Sequence, residues 1–240
     1  LHGFQLKTEP FTDAAAALQK AEQLRSWAGS ANVFVTRDGT STFYTVYAGD
    51  YASAQEAQAA SHDRSEGLAV AGPYHWEAGT YSDEDEAHRT KNSLLAHGFH
   101  AAVVIHPADS GPRYSVWVGE AGNAAELDRL RAQIAAVEPQ LELQQADVDG
   151  PYLYERTEIS ERYPQELRHF ALSRGDDPVR IVSRGGYIRV DERSARSYRG
   201  EIELVSYRDK LAVINELPLE SYLYSVVGAE MGGGWPLEAL

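Results

Sequence analysis

The 240-residue chain has no cysteine and one methionine. Without thiols it forms no disulfide and offers no thiolate to a metal. The lack of cysteine fits a protein exported from a bacterial cell. No apolar run approaches the roughly 18–20 residues that cross a bilayer. No signal-peptide pattern opens the chain, which starts at Leu1 rather than Met. It therefore reads as soluble, without a membrane span, and as a processed or trimmed piece of a longer protein. Positive charge is scarce: 22 Lys and Arg face 36 Asp and Glu, for a formal charge of −14. That balance argues against nucleic acid, which demands a basic footprint, and against anionic membrane surfaces. What is present is a globular composition, 43% hydrophobic, long enough for one to three domains.

The chain repeats itself. Adding 70 to the numbering lays "FYTVYAGDYASAQEA" (43–57) on "RYSVWVGEAGNAAEL" (113–127) without a gap. Tyr44 falls on Tyr114, Val46 on Val116, Tyr47 on Trp117 and Gly49 on Gly119. Each copy predicts the order β-α-β-β-α-β. An extended piece, "GFQLKT" or "YHWEAG", opens it. A helix follows, capped by Thr12-Asp13 or Ser82-Asp83 and stopped near Gly29 or Gly98. Two strands turn at Asp38-Gly39 or Ser110-Gly111. A second helix and a short last strand complete the copy. The class is α+β, with two tandem ferredoxin-like βαββαβ domains over 1–72 and 73–147, each with helices on one sheet face and the other face open.

Alternation places Val46 and Val116 toward the core, so Tyr47 and Trp117 are expected to point out of the open face. Exposed rings on a flat sheet suit stacking on sugars, and they also suit packing on a neighbouring domain. The pattern "Y-x-V-x-x-G" in the third strand, with "G-T-Y" after the first in copy two, resembles the SPOR domain. SPOR domains bind peptidoglycan glycan strands stripped of stem peptides. The resemblance implies glycan contacts at Gln5, Lys7, Phe43 and Tyr47 in copy one, and at His75, Glu77, Arg113 and Trp117 in copy two. Copy one reads "EPF" where copy two has Gly79, a departure from the pattern.

After about residue 148 the texture changes. "PVRIVS", "YIRV", "GEIELVSY" and "KLAVINE" predict a meander of hairpins. A helix follows, with Pro218 in its first turn. Leu219, Tyr222, Leu223, Val226 and Val227 fall at i, i+3, i+4, i+7 and i+8. Position i+11 is Glu230, which places this acid on the buried stripe. Apolar neighbours penalise a carboxylate's charge and raise its pKa. A value near ~6 makes a glutamate a proton donor at neutral pH. Gly232-Gly233-Gly234 behind it leaves room for a bulky polymer. The alternative is a helix-end glutamate paired with an arginine or exposed.

The string Asn215–Leu223, then Val226–Met231, Trp235-Pro236 and Glu238–Leu240 closely resembles the start of the stage II sporulation protein D (SpoIID) and LytB family. The third segment, 148–240, is then the mostly β front of such a domain, with Gly232 where a proline is common. The resemblance implies a lytic transglycosylase that leaves 1,6-anhydro ends, with Glu230 as catalytic acid. It implies an extracytoplasmic protein of cell-wall remodelling or sporulation whose partners are glycan strands and a cell-wall amidase. The other class it implies is a non-catalytic wall-binding protein or amidase enhancer. No cofactor is evident; zinc in this family is held by residues beyond those present. His88, His97, His100 and His106 read as solvated surface residues, so no metal site is expected. The stop at Leu240, inside the motif, reads as a cut within the catalytic domain, so the chain itself is expected to lack full activity.

Overall fold

The computed structural model describes residues 3–62, 67–108, 111–162, 165–172, 178–183, 185–190, 196–208 and 210–230. They belong to two compact units, Leu1–Gly175 and Asp176–Leu240.

In the first unit, copy one runs β1 (Phe4–Lys7), α1 (Ala14–Ala28), β2 (Ala31–Asp38), β3 (Ser41–Tyr51), α2 (Ala54–His62) and β4 (Ala69–Ala71). Copy two runs β5 (Tyr74–Tyr81), α3 (Glu84–Ala96), β6 (Ala101–His106), β7 (Arg113–Ala121), α4 (Ala124–Val137) and β8 (Gln144–Gln145). Strand order is β4-β1-β3-β2 in one copy and β8-β5-β7-β6 in the other. Local chemistry explains the boundaries. Asp13 and Asp83 accept from the amides of Ala16 (2.9 Å) and Glu86 (3.0 Å), capping α1 and α3. Asn123 caps α4 in the same way. Gly29 ends α1 with φ +81, a conformation that costs a glycine little. The predicted Ser110 turn lies outside the described residues. Leu24, Val33 and Val46 centre the core of copy one. Leu94, Val103, Val116 and Ile134 centre that of copy two.

The unit continues past the repeats into β9 (Leu153–Ile159) and β10 (Leu167–Leu172). The sequence texture changes near 148, yet these strands are built into the repeats' own sheet. β10 pairs with β9 from Leu153 to Glu158 along one edge. The other edge is shared: Leu153 and Tyr154 pair with β6, and Thr157 to Ile159 pair with β2. One strand thus joins the outer strands of both copies into a ten-stranded sheet. The physical reason is the edge itself, since β2 and β6 would otherwise expose unpaired amides and carbonyls.

The second unit has a sheet in the order β11 (Val179–Val182), β14 (Glu201–Tyr207), β15 (Lys210–Glu216), a separate pair β12 (Ile188–Val190) and β13 (Arg196–Tyr198), and helix α5 (Leu219–Glu230). Asn215 pins the end of β15. Its Nδ2 donates to the carbonyls of Arg199 (2.8 Å) and Glu201 (3.0 Å). Pro218 precedes α5, and its carbonyl accepts from the amide of Tyr222 (3.1 Å). The stripe on α5 departs from the expectation of burial. Leu219 is 70% exposed, and Tyr222 and Leu223 are also exposed. Ile202 is the one buried apolar residue among those described in this unit, because three short strands and a helix enclose little apolar area.

A glycine bulge decides which way a key side chain points. β7 has one extra residue against β5: Val118 pairs with Trp76, and Ala121 with Tyr74. Gly119 takes φ +86 at this point, and the bulge turns Glu120 to the face opposite Val116 and Val118. A side chain at 119 meets both a disfavoured φ and Leu130, whose Cδ2 would lie 2.0 Å from a Cβ. Gly119→Ala is therefore expected to destabilise the first unit by about 1–3 kcal/mol. Urea unfolding of residues 1–175 measures it, and an unchanged midpoint contradicts the bulge account.

Candidate functional site

Glu120 lies where the two copies meet. Its side chain is 2% exposed. Oε2 accepts from Lys7 Nζ (3.1 Å) and from the Tyr47 hydroxyl (2.7 Å), both of copy one. Oε1 accepts from Arg156 Nη2 (3.1 Å) on β9 and faces His100 Nε2 at 3.4 Å. Arg156 is itself buried. Its guanidinium lies 4.5 Å from the ring centres of Phe34 and Tyr47 and 5.0 Å from that of Tyr154, in cation–π range. The centre draws on both repeats and on the strand that follows them.

Burial alone would raise the Glu120 carboxyl, but neighbouring positive charge and the Tyr47 hydroxyl outweigh it and hold the group at about 2. Burial lowers His100 to about 4, so it is neutral near pH 7. Lys7 and Arg156 are then the cations that keep Glu120 ionised at neutral pH. Burial, reinforced by the Glu120 charge, pushes the Tyr47 phenol well up.

The residues named for glycan contact do not form one open surface. Tyr47 and Trp117 are 3% and 0% exposed, contrary to the expectation that they point into solvent. The open face of copy two is covered by the chain that leaves it. Trp117 packs edge-on against Tyr152 at 4.7 Å, and Ala146 and Tyr154 complete its cluster. His75 stacks on Trp117 at 5.2 Å, and its Nδ1 lies 2.5 Å from the Gly119 carbonyl. Burial lowers His75 to about 4. Lys7 is drawn into the Glu120 centre. Gln5 donates to the Gly49 carbonyl (3.2 Å). Phe43 sits half-buried opposite Thr36. Glu77 accepts from Thr80 (2.8 Å), and Arg113 is exposed opposite His106. The structure thus joins Lys7 with Tyr47, and His75 with Trp117, and leaves Gln5, Phe43, Glu77 and Arg113 apart. The four histidines are also separate, and contrary to the expectation of solvated surface side chains only His97 among them is exposed. His97 faces Glu138, His100 faces Glu120, His106 lies by Trp117 and Tyr152, and His88 lies by Glu84 and Glu155.

Beside the centre, a cleft of about 530 Å³ opens between β2 and β3 of copy one and α3 of copy two. Phe34, Arg37, Tyr47, Lys91, His100 and Arg156 are among its walls. Arg37 is paired with Glu166 and Arg156 with Glu120. Lys91 makes no hydrogen bond or ion pair with any described residue. Burial lowers its pKa, against the field of Glu155. Sequence reading missed Phe34, Lys91, His100, Glu120 and Arg156. The available signal was Gly119, because a glycine inside a strand marks a bulge that reverses the alternation after it.

Glu230 is the last residue of α5. Its side chain, the Gly232-Gly233-Gly234 run and the Trp235-Pro236 pair lie outside the described residues.

Comparison with protein-family models finds the SPOR domain over residues 5–63 and the stage II sporulation protein SpoIID over 207–240. Copy two lies outside the matched residues. No curated protein and no solved structure matches the chain. The two matches support a cell-wall-associated role.

The buried groups set an acid response. His75 and His100 are held near 4, below their ordinary 6.5, so they favour the folded state at neutral pH and withdraw that contribution as pH falls from 6.5 to 4. Glu120 is held below its ordinary 4.5, so its contribution is present above that value and is lost as pH falls toward 2. The unfolding temperature of residues 1–175 should be flat above neutrality and fall in two overlapping steps. Glu120→Gln should cost roughly 3–5 kcal/mol of stability at neutral pH, since it strands Lys7 and Arg156, and should lower that plateau and reduce the more acid step, which Glu84 and Glu138 share. An unchanged slope below pH 4.5 in that variant contradicts the assignment.

Proposed function

We propose that this is an extracytoplasmic peptidoglycan-binding protein that cleaves glycan strands, with two tandem ferredoxin-like SPOR-type modules ahead of a SpoIID-type segment. The observation that carries the reading is the motif from Asn215 to Leu240, which coincides with the SpoIID match over 207–240 and puts Glu230 at the end of α5. The SPOR match over 5–63 supports the binding half.

The chemistry needs one carboxyl group. Protonated Glu230 gives its proton to the glycosidic oxygen, and the bond to the anomeric carbon breaks. The resulting carboxylate takes the proton of the sugar's own 6-hydroxyl as that oxygen attacks the same carbon. The product is a 1,6-anhydro end, and the glutamic acid is restored. No water enters, so the second carboxylate of ordinary hydrolases has no task. The glycan is bound at the cleft between the repeats, where Lys91 stands free for an acidic group and Tyr47 and Phe34 form apolar wall. Trp117 and His75 serve as core beneath the strap from 146 to 154.

Two measurements test this reading. Digestion of purified sacculi by the full-length protein should release anhydro-muropeptides, and Glu230→Gln should abolish them. Release that persists in that variant ends the assignment; stimulation of a separate amidase without anhydro products makes the protein an enhancer. Lys91→Glu should weaken sacculus co-sedimentation of residues 1–175 about tenfold, roughly 1.4 kcal/mol. Undiminished binding moves the glycan site elsewhere.

A further inference from the structure

We propose a divalent metal site made by Glu84, His88 and Glu155 in the first unit, whose Glu155 also lines the cleft that holds Lys91. Glu84 opens α3 and His88 follows at i+4, so both side chains lie on one helix face. Glu155 reaches them from β9. One donor atom from each lies within 4.8 Å of the other two.

The distances point to an ion rather than to hydrogen bonds. His88 Nε2 stands 3.6 Å from Glu84 Oε1 and 3.5 Å from Glu155 Oε2. A contact that long is not a hydrogen bond. Donors that share a tetrahedral ion at about 2.0–2.2 Å stand about 3.3–3.6 Å from one another. Glu155 supplies the independent observation. Its side chain is 9% exposed, and its Oε2 is buried without a hydrogen-bond partner among the described residues. A buried carboxylate oxygen without a donor is costly, and it is the oxygen that faces His88.

Arg168 belongs to the surroundings of this site. Its Nε donates to Glu155 Oε1 (2.9 Å) and its Nη2 to Glu84 Oε1 (2.5 Å). It takes the far oxygen of Glu155 and one lone pair of Glu84 Oε1, leaving Glu155 Oε2 and the second lone pair for a metal. In this role it orients the carboxylates from outside. Its charge and that of Lys91 lower the affinity. One imidazole and two carboxylates suit zinc among abundant divalent ions. The ion would tie α3 of copy two to β9.

The test uses the full chain without a polyhistidine tag and Zn²⁺ alone as the probe. Titration calorimetry should show one site, and Zn²⁺ should raise the unfolding temperature of the first unit. His88 is half-buried on α3, and His88→Ala should keep the fold by circular dichroism while weakening Zn²⁺ at least about tenfold. Glu155→Gln should do the same. His97→Ala, at a separate histidine, should bind as the parent chain does. Absence of heat and of any thermal shift overturns the proposal and leaves a charge network of protein groups only. Parent-like affinity in His88→Ala, or loss confined to His97→Ala, overturns it as well. Should Glu155→Gln not fold, the His88→Ala result decides.

Discussion

A single ionised carboxylate with almost no access to water sits where the two repeats meet and takes partners from both repeats and from β9. Moving such a group out of water costs several kcal/mol, which is recovered only when partners surround it. Glu120 has them: Lys7 and Tyr47 from copy one, Arg156 from β9, and His100 beside it in copy two. Two cations against one anion leave an excess positive charge in the interior. The faces of Phe34, Tyr47 and Tyr154 take up that excess around the Arg156 guanidinium. The position of β9 follows. Its residue 156 must reach the centre, while its two ends pair with β6 and β2.

Much of the local structure was legible in the sequence because it rests on short-range chemistry. The caps at Asp13 and Asp83, the turn at Gly39 and the βαββαβ order depend on neighbours a few residues apart. The free face was not legible. Alternation correctly turned Tyr47 and Trp117 away from their helices, but away from the helices is not the same as into water. The covering surface comes from Tyr152, Tyr154 and the other copy, contacts that no local pattern encodes. Glu120 was lost for a different reason. Simple alternation assigns it to the side of Val116 and Val118, and the positive φ of Gly119 reverses it. Arg156 sits in a strand whose texture resembles the segment after it, although it packs with the segment before it.

Two repeats with open faces, placed on one chain, are covered here by β9, by the segment that follows copy two and by contacts at Glu120. That leaves little aromatic surface for a ligand, and what is left carries charge. The cleft between β2, β3 and α3 is such a remainder. Within a chain of net charge −14, it gathers Arg37, Lys91 and Arg156 in one wall system. Arg37 and Arg156 already have acidic partners, so Lys91 alone is uncommitted. An acidic ligand would meet that ammonium where burial has already weakened its hold on water, and this strengthens an ion pair relative to one on open surface.

The second unit poses the converse problem. A general acid works near neutrality only when apolar surroundings oppose its charge. Leu219, Tyr222 and Leu223 of α5 stand exposed, so the described part of the stripe supplies no such surroundings by itself. Position 230 continues that stripe at i+11, three helical turns along. Any surface that covers Leu219, Leu223 and Val226 therefore extends toward position 230. In the proposed reaction, burial of the stripe and activation of the acid are one structural requirement. The hydrogen bonds of Asn215 bear on it at the other end of the helix, because they hold the β15 terminus from which Leu217 and Pro218 lead into α5. The asparagine of the motif sets where the helix begins, and helical spacing then sets where its glutamate ends.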